Sequence, residues 1–340
     1  MLLTGFGPIA LLLLVTVIIG LFGNTMSLFV FSRRNMMRSS IGVFLLALTC
    51  VDIVLLILSV FTFVVPVLPI WQQNDPDWQI YTAIMLKTAY PLNMIAQTCS
   101  VCLMLAITTE RWIAVCRPLQ VKSWCRPGRS ARMCATIVIV SILYNAIRYF
   151  EFQLVWANGS VVSFQKLLRD PEKSRWYYVG YYTILYNVTH FIFPFTVMTI
   201  ANYQIVTTLV RRKKSCPLLT TQQLKEQKTT VMLLMVTTAF VICNTLVFSL
   251  NILESVFPKF SAEWIGTFSV LNDWANYLVV FNSASTFLIY LIFSAKYKQT
   301  VLVACRRWRG KVREGSWSNA TGLTSLPAHK KELICTMSMK

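Results

Sequence analysis

Five polar side chains interrupt long apolar stretches of this sequence and are the first candidates for chemistry. Asp52 ends the run Leu-Ala-Leu-Thr-Cys-Val-Asp, Asn24 follows a glycine, and Ser100, Asn282 and Ser283 stand in two further stretches. An ionisable group inside a membrane helix costs about 2.5–3.5 kcal/mol on insertion scales, so such a residue suggests a function. One carboxylate with four uncharged polar groups suits a hydrated cation. Hydrogen bonds that only hold helices together are the alternative.

A second pattern is the adjacent acid and base Glu110-Arg111, followed by Trp112. The pair stands where an apolar stretch gives way to basic residues. Opposite charges at such a boundary are a candidate for a switch. From the residues alone, however, two long side chains that extend to the aqueous boundary are the simpler explanation.

The composition indicates an integral membrane protein. The 340 residues are 56% hydrophobic and 13% charged, and this charged share is about half that of a soluble domain. The mean hydropathy is +0.58. Gly and Pro number only 12 each and aromatic residues reach 13%, which excludes a disordered or collagen-like chain.

The apolar stretches predict an all-α, seven-transmembrane helix bundle. About 20 mostly apolar residues cross a bilayer as a helix, and neither the alternating pattern of a membrane barrel nor an internal repeat is found. We expect no removable signal peptide, so the first span would act as its own insertion signal. The predicted spans are Pro8–Phe31, Ile41–Val64, Ile80–Cys116, Arg132–Phe150, Tyr177–Val210, Thr229–Leu253 and Trp264–Phe293.

The positions of the basic residues predict the orientation of the chain. With the N-terminus outside, 25 of the 32 Lys and Arg residues fall on the inner side, as the positive-inside rule requires. The net charge of +19 therefore reflects topology and attraction to anionic membrane lipids, and we expect no nucleic-acid partner. Only Asp52 is an interior charge, which disfavours a channel or transporter. His190 has no obvious carboxylate partner, so we expect no enzyme.

Several motifs resemble the rhodopsin-like (class A) G-protein-coupled receptors over about residues 5–310. These are Gly23-Asn24, the run that ends at Asp52, Glu110-Arg111-Trp112, Phe193-Pro194 and Tyr290. Three longer segments, 90–98, 110–116 and 287–290, are similar to invertebrate FMRFamide-type neuropeptide receptors. The resemblance implies a plasma-membrane receptor that activates a heterotrimeric G protein.

The resemblance also assigns roles to particular residues. Glu110 and Arg111 match the cytoplasmic lock that opens to admit the G protein, and Tyr290 matches the tyrosine that moves inward on activation. The sodium pocket of such receptors matches Asp52, Ser100, Asn282 and Ser283. Apart from an allosteric sodium ion, we expect no cofactor and no metal site.

The sequence departs from the family pattern at the outer disulfide. The position 25 residues before Arg111 is Leu86 rather than Cys, and the segment 151–176 has no Cys. All ten cysteines fall within spans or predicted cytosolic segments, so we expect no disulfide and a second outer loop that is held by other contacts and is more mobile than in related receptors.

Other departures lie in spans five, six and seven. Span six has Thr245-Leu246-Val247 in place of an aromatic-x-Pro hinge, so only Asn244 and Thr245 remain to bend the helix, by competing for backbone hydrogen bonds. Thr286-Phe287 replaces the usual Asn-Pro, and Asn202 replaces a frequent tyrosine.

Two ligand classes are disfavoured by the resemblance. Amine receptors carry an acid where this sequence has Asn93, and opsins need a lysine in span seven, where none lies between Lys259 and Lys296. An amidated peptide ending in Arg-Phe remains, with a chemosensory small molecule as the alternative. Glu151 or Glu254 would pair with its guanidinium.

An aromatic residue, Tyr144 or Trp274, would receive the phenylalanine ring of such a peptide. Both acids can equally be ordinary solvated loop residues. The candidates for the ligand pocket, all in the outer half of the predicted bundle, are Asn93, Gln97, Tyr144, Glu151, Asn251, Glu254, Asp273 and Trp274.

After span seven, apolar residues recur at helical spacing from Tyr297 to Trp308 between basic residues. This pattern predicts an amphipathic helix over about 296–309 in the inner interface, ended by Gly310. Cys305 on its apolar face is a candidate for palmitoylation or a plain buried cysteine. Residues 1–310 would then form the receptor domain, and 311–340 a disordered cytoplasmic tail.

The orientation predicts which of three Asn-x-Ser/Thr sequons is glycosylated. Asn158 would lie outside, whereas Asn187 falls in span five and Asn319 in the cytosol. We expect Asn158→Gln to abolish the mobility shift that a glycosidase produces, and the control Asn187→Gln to leave it intact. A shift that survives Asn158→Gln would contradict the orientation.

Overall fold

The computed structural model describes residues 8–65, 76–157, 160–168, 170, 173–215, 221–256, 265–294 and 297–302. The chain divides into two units, residues 1–294 and 295–340. Within the described residues, seven helical segments are long and apolar enough to cross a membrane, as predicted. These spans are Ile9–Phe31, Ser40–Val64, Asp77–Cys116, Pro127–Phe150, Trp176–Arg212, Gln227–Glu254 and Gly266–Phe293.

The helices of spans one, six and seven are continuous, whereas spans two to five change helix type or break. The elements are Pro8–Phe31 in span one; Ser40–Ser59 and the π-helical Val60–Val64 in span two; Pro76–Lys87 and Ala89–Cys116 in span three; Pro127–Asn145 and the 3-10 turn Ala146–Phe150 in span four; the π-helical Trp176–Leu185 and Val188–Ile192, then Phe193–Ser215, in span five; Thr221–Val256 in span six; and Ile265–Phe293 in span seven.

Three helices begin at least four residues before the predicted spans. Span three starts at Pro76 rather than Ile80, span four at Pro127 rather than Arg132, and span six at Thr221 rather than Thr229. Proline suits the first turn of a helix because its missing N–H has no partner there in any case. The apolar pattern marks only the hydrocarbon-facing part of each helix. It also missed the interruption of span three at Thr88.

Small residues let span one approach span seven closely. A Cβ on Gly23 would overlap the ring of Phe287, and one on Gly20 would lie 2.6 Å from the Cβ of Ala284. The Asn24 side chain can therefore donate from Nδ2 across the interface to the Ser283 carbonyl oxygen, at 3.0 Å. Small residues at such interfaces allow helix backbones to come together.

A β-hairpin, which the sequence analysis missed, follows span four. Strand β1 (Phe152–Ala157) pairs antiparallel with β2 (Ser160–Lys166), with an irregularity between Val155 and Trp156. Phe152 pairs with Lys166 at its base. The hairpin packs on the helix Pro76–Lys87 at the start of span three, so the second outer loop has regular structure.

In the second unit, the structure describes residues 297–302, which are helical. They fall inside the predicted amphipathic helix. Cys305 and the rest of the chain lie outside the described residues, as does Asn158, so palmitoylation, glycosylation and the disordered tail stay predictions.

Candidate functional site

The inner end of span three carries an ion pair between neighbours in sequence. Arg111 NH2 lies 3.2 Å from Glu110 Oε1, and the two side chains are 15% and 6% exposed. The Nε atom of Arg111 has no hydrogen-bond partner among the described residues. The pair thus neutralises both charges within one helix and leaves a guanidinium donor available.

Two hydrogen bonds fasten span five to this end of span three. Arg212 NH2 donates to the Val115 carbonyl oxygen at 2.6 Å, and Trp112 Nε1 donates to Gln204 Oε1. Neither depends on a buried charge pair, so both can be exchanged for bonds to water when the helices separate.

In the inner half, an amide side chain joins span five to span six. Asn202 Nδ2 donates to Thr237 Oγ1 at 2.9 Å, at the position where the resemblance leads one to expect a tyrosine.

Tyr290 of span seven is fully buried, with its ring edge-on to Phe31 at 5.2 Å between centroids. The polar contacts of the inner half are therefore mostly neutral.

The carboxylate of Asp52 is buried against span seven. It accepts a hydrogen bond from the Ser283 side chain and lies beside that of Thr286, whose hydroxyl donates to the Asn282 carbonyl oxygen at 2.9 Å. Its Oδ2 atom has no partner in the described part of the chain. A buried acceptor without a partner is uncommon and calls for a water or an ion. Asn24 instead bonds the carbonyl oxygens of Gly20 and Ser283, so it joins helices as the alternative explanation proposed.

A narrow cleft lies between spans two, three, five, six and seven. Among the described residues, no Asp, Glu, Lys or Arg side chain lines it. Ser100, Asn282 and Ser283 of the predicted sodium pocket line it, together with Gln97 of the predicted ligand pocket. The polar lining residues are Gln97, Ser100, Tyr186, His190, Asn244, Asn282 and Ser283.

A chain of polar contacts leads from this cleft to the outer end of span four. His190 Nε2 lies 2.8 Å from Thr98 Oγ1, which also accepts from Asn145 Nδ2 at 2.8 Å. Arg148 Nε then donates to Asn145 Oδ1 at 3.0 Å. These polar contacts join spans five, three and four. They end at Arg148, which is buried although the charge count of the sequence analysis placed it on the outer side.

Arg148 pairs with one of the two acids predicted to bind the ligand. Its NH1 lies 3.0 Å from Glu151 Oε1, and both side chains are at most 1% exposed. NH1 also donates to the Tyr90 hydroxyl at 3.0 Å, and the Tyr177 hydroxyl donates to Glu151 Oε1. Glu151 is thus not a solvated loop residue, and its carboxylate already has an internal guanidinium partner.

Tyrosines at a spacing of four form a ladder on span five. The rings of Tyr178 and Tyr182 stack at 5.7 Å, Tyr182 and Tyr186 at 6.5 Å, and Tyr186 and His190 at 4.3 Å. Tyr182 also donates to Glu254 Oε2 at 3.4 Å. The ladder therefore leads from the second candidate acid to the wall of the cleft, and its i, i+4 spacing was visible in the sequence.

The remaining ligand-pocket candidates differ in accessibility. Asn93 is buried and its amide oxygen lacks a partner among the described groups, whereas Asn251 is half-buried. Tyr144 bonds Thr189 and packs on the rings of Tyr181 and His190, at 5.4 and 5.6 Å.

At the outer part of span seven, Asp273 and Trp274 are both exposed, and the Trp274 ring lies edge-on to Tyr277 at 5.8 Å. In the described part of the chain, no group of three His, Cys, Asp or Glu side chains is arranged to hold a metal ion.

Comparison with known proteins gives a family match and close relatives. Residues 23–290 match the family described as 7 transmembrane receptor (rhodopsin family). The FMRFamide peptide receptor frpr-18 of Caenorhabditis elegans is 50% identical over 292 residues, which are 85% of this chain and 67% of the relative. The FMRFamide receptor of Drosophila melanogaster is 29% identical over 290 residues, 84% of this chain, and the match spans about half (51%) of that relative.

Proposed function

This chain belongs to the rhodopsin family of seven-transmembrane receptors, and from that premise we propose that it is a plasma-membrane receptor for an FMRFamide-type neuropeptide. The observation that carries the proposal is the 50% identity to the Caenorhabditis elegans peptide receptor over 85% of the chain. The relatives favour a peptide over a small chemosensory molecule. Activation of a heterotrimeric G protein is the activity of this family, which is not enzymatic.

The lining of the cleft supports a ligand with a neutral polar end. Gln97 and Asn244 each offer an amide donor and an amide acceptor there, and no described lining side chain carries the cation that a free carboxylate would need. Burying an unpaired carboxylate is costly. A C-terminal carboxamide is uncharged, so it can form hydrogen bonds with the lining without the cost of burying a carboxylate. The proposed peptide is therefore amidated.

Glu254 is the acid best situated to bind an arginine of the ligand. It is half-buried, and the Tyr182 hydroxyl donates to its Oε2 atom in a long bond of 3.4 Å. A guanidinium can replace that bond with a bidentate, charge-assisted pair. Glu151 already has a guanidinium partner, because its Oε1 atom is paired with Arg148 NH1. We therefore assign the ligand guanidinium to Glu254 alone.

The inner contacts suggest how ligand binding reaches the G protein. Outward movement of span six has to break the hydrogen bond between Asn202 and Thr237. Release of Arg111 from Glu110 then presents a guanidinium with a free Nε to the entering G protein. Tyr290 would follow by leaving its contact with Phe31.

The unpartnered Oδ2 of Asp52 supports an allosteric sodium ion. Ser283 bonds the same carboxylate and also lines the cleft with Ser100 and Asn282, so oxygen ligands of the kind a hard cation prefers lie close to the acid. The ion would hold spans two and seven together and stabilise the inactive receptor. In the proposed orientation, the N-terminus is extracellular and the basic residues contact anionic inner-leaflet lipid.

We expect Arg111→Ala to abolish nucleotide exchange on the G protein while surface expression persists, because the variant removes the guanidinium that contacts the G protein. Arg34→Ala, at an exposed inner position, is the control and should signal normally. Undiminished agonist-driven exchange in Arg111→Ala would defeat the assignment.

We expect Asp52→Asn to remove the dependence of agonist affinity on sodium, because the ion loses its only carboxylate. Agonist binding is measured in sodium chloride and in an equal concentration of choline chloride, with Asp273→Asn as the matched control for loss of an acid. If the wild type and Asp52→Asn respond equally to sodium, no ion of functional consequence binds there.

We expect Glu254→Gln to reduce the potency of an Arg-Phe-amide peptide by about 10- to 150-fold, because a hydrogen bond to a charged group contributes about 1.5–3 kcal/mol. A peptide with citrulline in place of arginine should lose potency on the wild type but little more on the variant. The measurement is the concentration dependence of nucleotide exchange.

Three outcomes of this peptide experiment contradict parts of the proposal. If no Arg-Phe-amide peptide activates the receptor, the peptide function is wrong. If Glu254→Gln responds like the wild type, the guanidinium binds elsewhere. A free-acid peptide that is as potent as its amide would contradict the assignment of the cleft to a carboxamide.

A further inference from the structure

Lys87 joins the outer end of span three to the beginning of the hairpin. Its Nζ donates to the Tyr149 carbonyl oxygen and, at 3.3 Å, to that of Phe152, the first residue of β1. Tyr90 packs edge-on to the Phe152 ring at 6.1 Å. Lys87 directly follows Leu86, the position at which the family pattern has the cysteine of its outer disulfide.

Glu151 closes the base of the hairpin on the other side. Its N–H donates to the Arg148 carbonyl oxygen at 3.1 Å, and its own carbonyl oxygen accepts from Leu167 N, just after β2, at 2.8 Å. Its carboxylate meanwhile binds Arg148 and Tyr177. One residue therefore connects both strands of the hairpin, span four and span five.

A buried ion pair adds little net stability compared with apolar packing, but breaking it leaves an unpaired charge and is strongly unfavourable. The pair therefore tolerates few alternative geometries. Arg148 and Glu151 are both at most 1% exposed, so a hairpin that moved away from the bundle would leave Arg148 buried without its partner. Such an interaction restricts position more than it increases stability.

We propose that Lys87, Tyr90, Arg148, Glu151 and Tyr177 form a non-covalent clamp that replaces the missing disulfide and positions the wall of the ligand cleft. The connection to the cleft is direct. The Arg148 guanidinium lies over the rings of Tyr181 and Tyr186, at 5.3 and 4.8 Å, and Tyr186 lines the cleft.

The polar chain through Asn145 and Thr98 connects the same guanidinium to His190, a second lining residue. Arg148 and Lys87 are thus positioning residues that act on the ligand through other side chains. This role in ligand binding depends on the proposed function, whereas the clamp itself does not.

The first test needs no ligand. Hydrogen–deuterium exchange of the β1 and β2 amides is measured in the full-length receptor in lipid nanodiscs. We expect Tyr177→Phe and Lys87→Met to accelerate this exchange at least about tenfold, because each removes a hydrogen bond to or from a charged group. Both changes keep the side-chain volume nearly constant, so folding should be retained.

The matched control is Lys173→Met, because Lys173 pairs with Asp170 at 3.4 Å in the same loop but is 56% exposed. We expect wild-type exchange in that variant, and no effect of dithiothreitol on the wild type. Exchange in Tyr177→Phe and Lys87→Met that equals that of the control would overturn the clamp. Acceleration by dithiothreitol would show that a disulfide holds the loop instead.

The second test separates positioning from a general loss of folded receptor. We expect Lys87→Met to raise the half-maximal concentration of an Arg-Phe-amide peptide about tenfold, with an unchanged maximal response per surface receptor, and Lys87→Arg to restore it. A lower surface level and maximal response at an unchanged half-maximal concentration would contradict positioning. If no such peptide activates the receptor, the exchange experiment still decides whether the clamp exists.

Discussion

A guanidinium that is removed from water needs a counter-ion and hydrogen-bond acceptors. Arg148 finds a counter-ion and two neutral acceptors on spans three and four and directly after span four, whereas its NH2 atom has no partner among the described residues. Glu151 supplies the charge, Asn145 and Tyr90 supply oxygen atoms, and the ring of Tyr186 covers one face. The π-helical turns of span five and the 3-10 turn at the end of span four bring these groups together. The geometry of the outer half follows from meeting the needs of this one cation.

The inner half is held by weaker and more exchangeable interactions. The Asn202–Thr237 and Trp112–Gln204 hydrogen bonds join neutral side chains, and each contributes only about 0.5–1.5 kcal/mol net. The one described ion pair in this region, Glu110–Arg111, lies within a single helix and does not connect two spans. This contrast gives the receptor an outer half with a fixed geometry and an inner half that can rearrange, which is the distribution that signalling across a membrane requires.

The sequence predicted the features that depend on local pattern and missed those that depend on which groups meet. Hydrophobic runs located all seven spans, and the family resemblance, rather than adjacency alone, assigned Glu110 and Arg111 to one lock. By contrast, Arg148 and Glu151 lie on either side of a predicted membrane boundary, where charged residues are normally solvated, so their pairing could not be inferred from composition. The hairpin was missed although the sequence carries a signal for it, because Asn158-Gly159 stands between two runs rich in aromatic and β-branched residues.

Where the sequence departs from the family pattern, the replacing residue makes a similar interaction with a different chemical group. Thr286, where Asn is usual, still places a polar side chain beside the Asp52 carboxylate. In span six, which has no proline, Asn244 and Thr245 donate to the carbonyl oxygens of Phe240 and Val241, and such bonds weaken the helix locally. The ammonium of Lys87 likewise connects the two segments that a disulfide would join. Hydrogen bonds thus stand where the family pattern has a proline or a disulfide, and the seven-span architecture is retained.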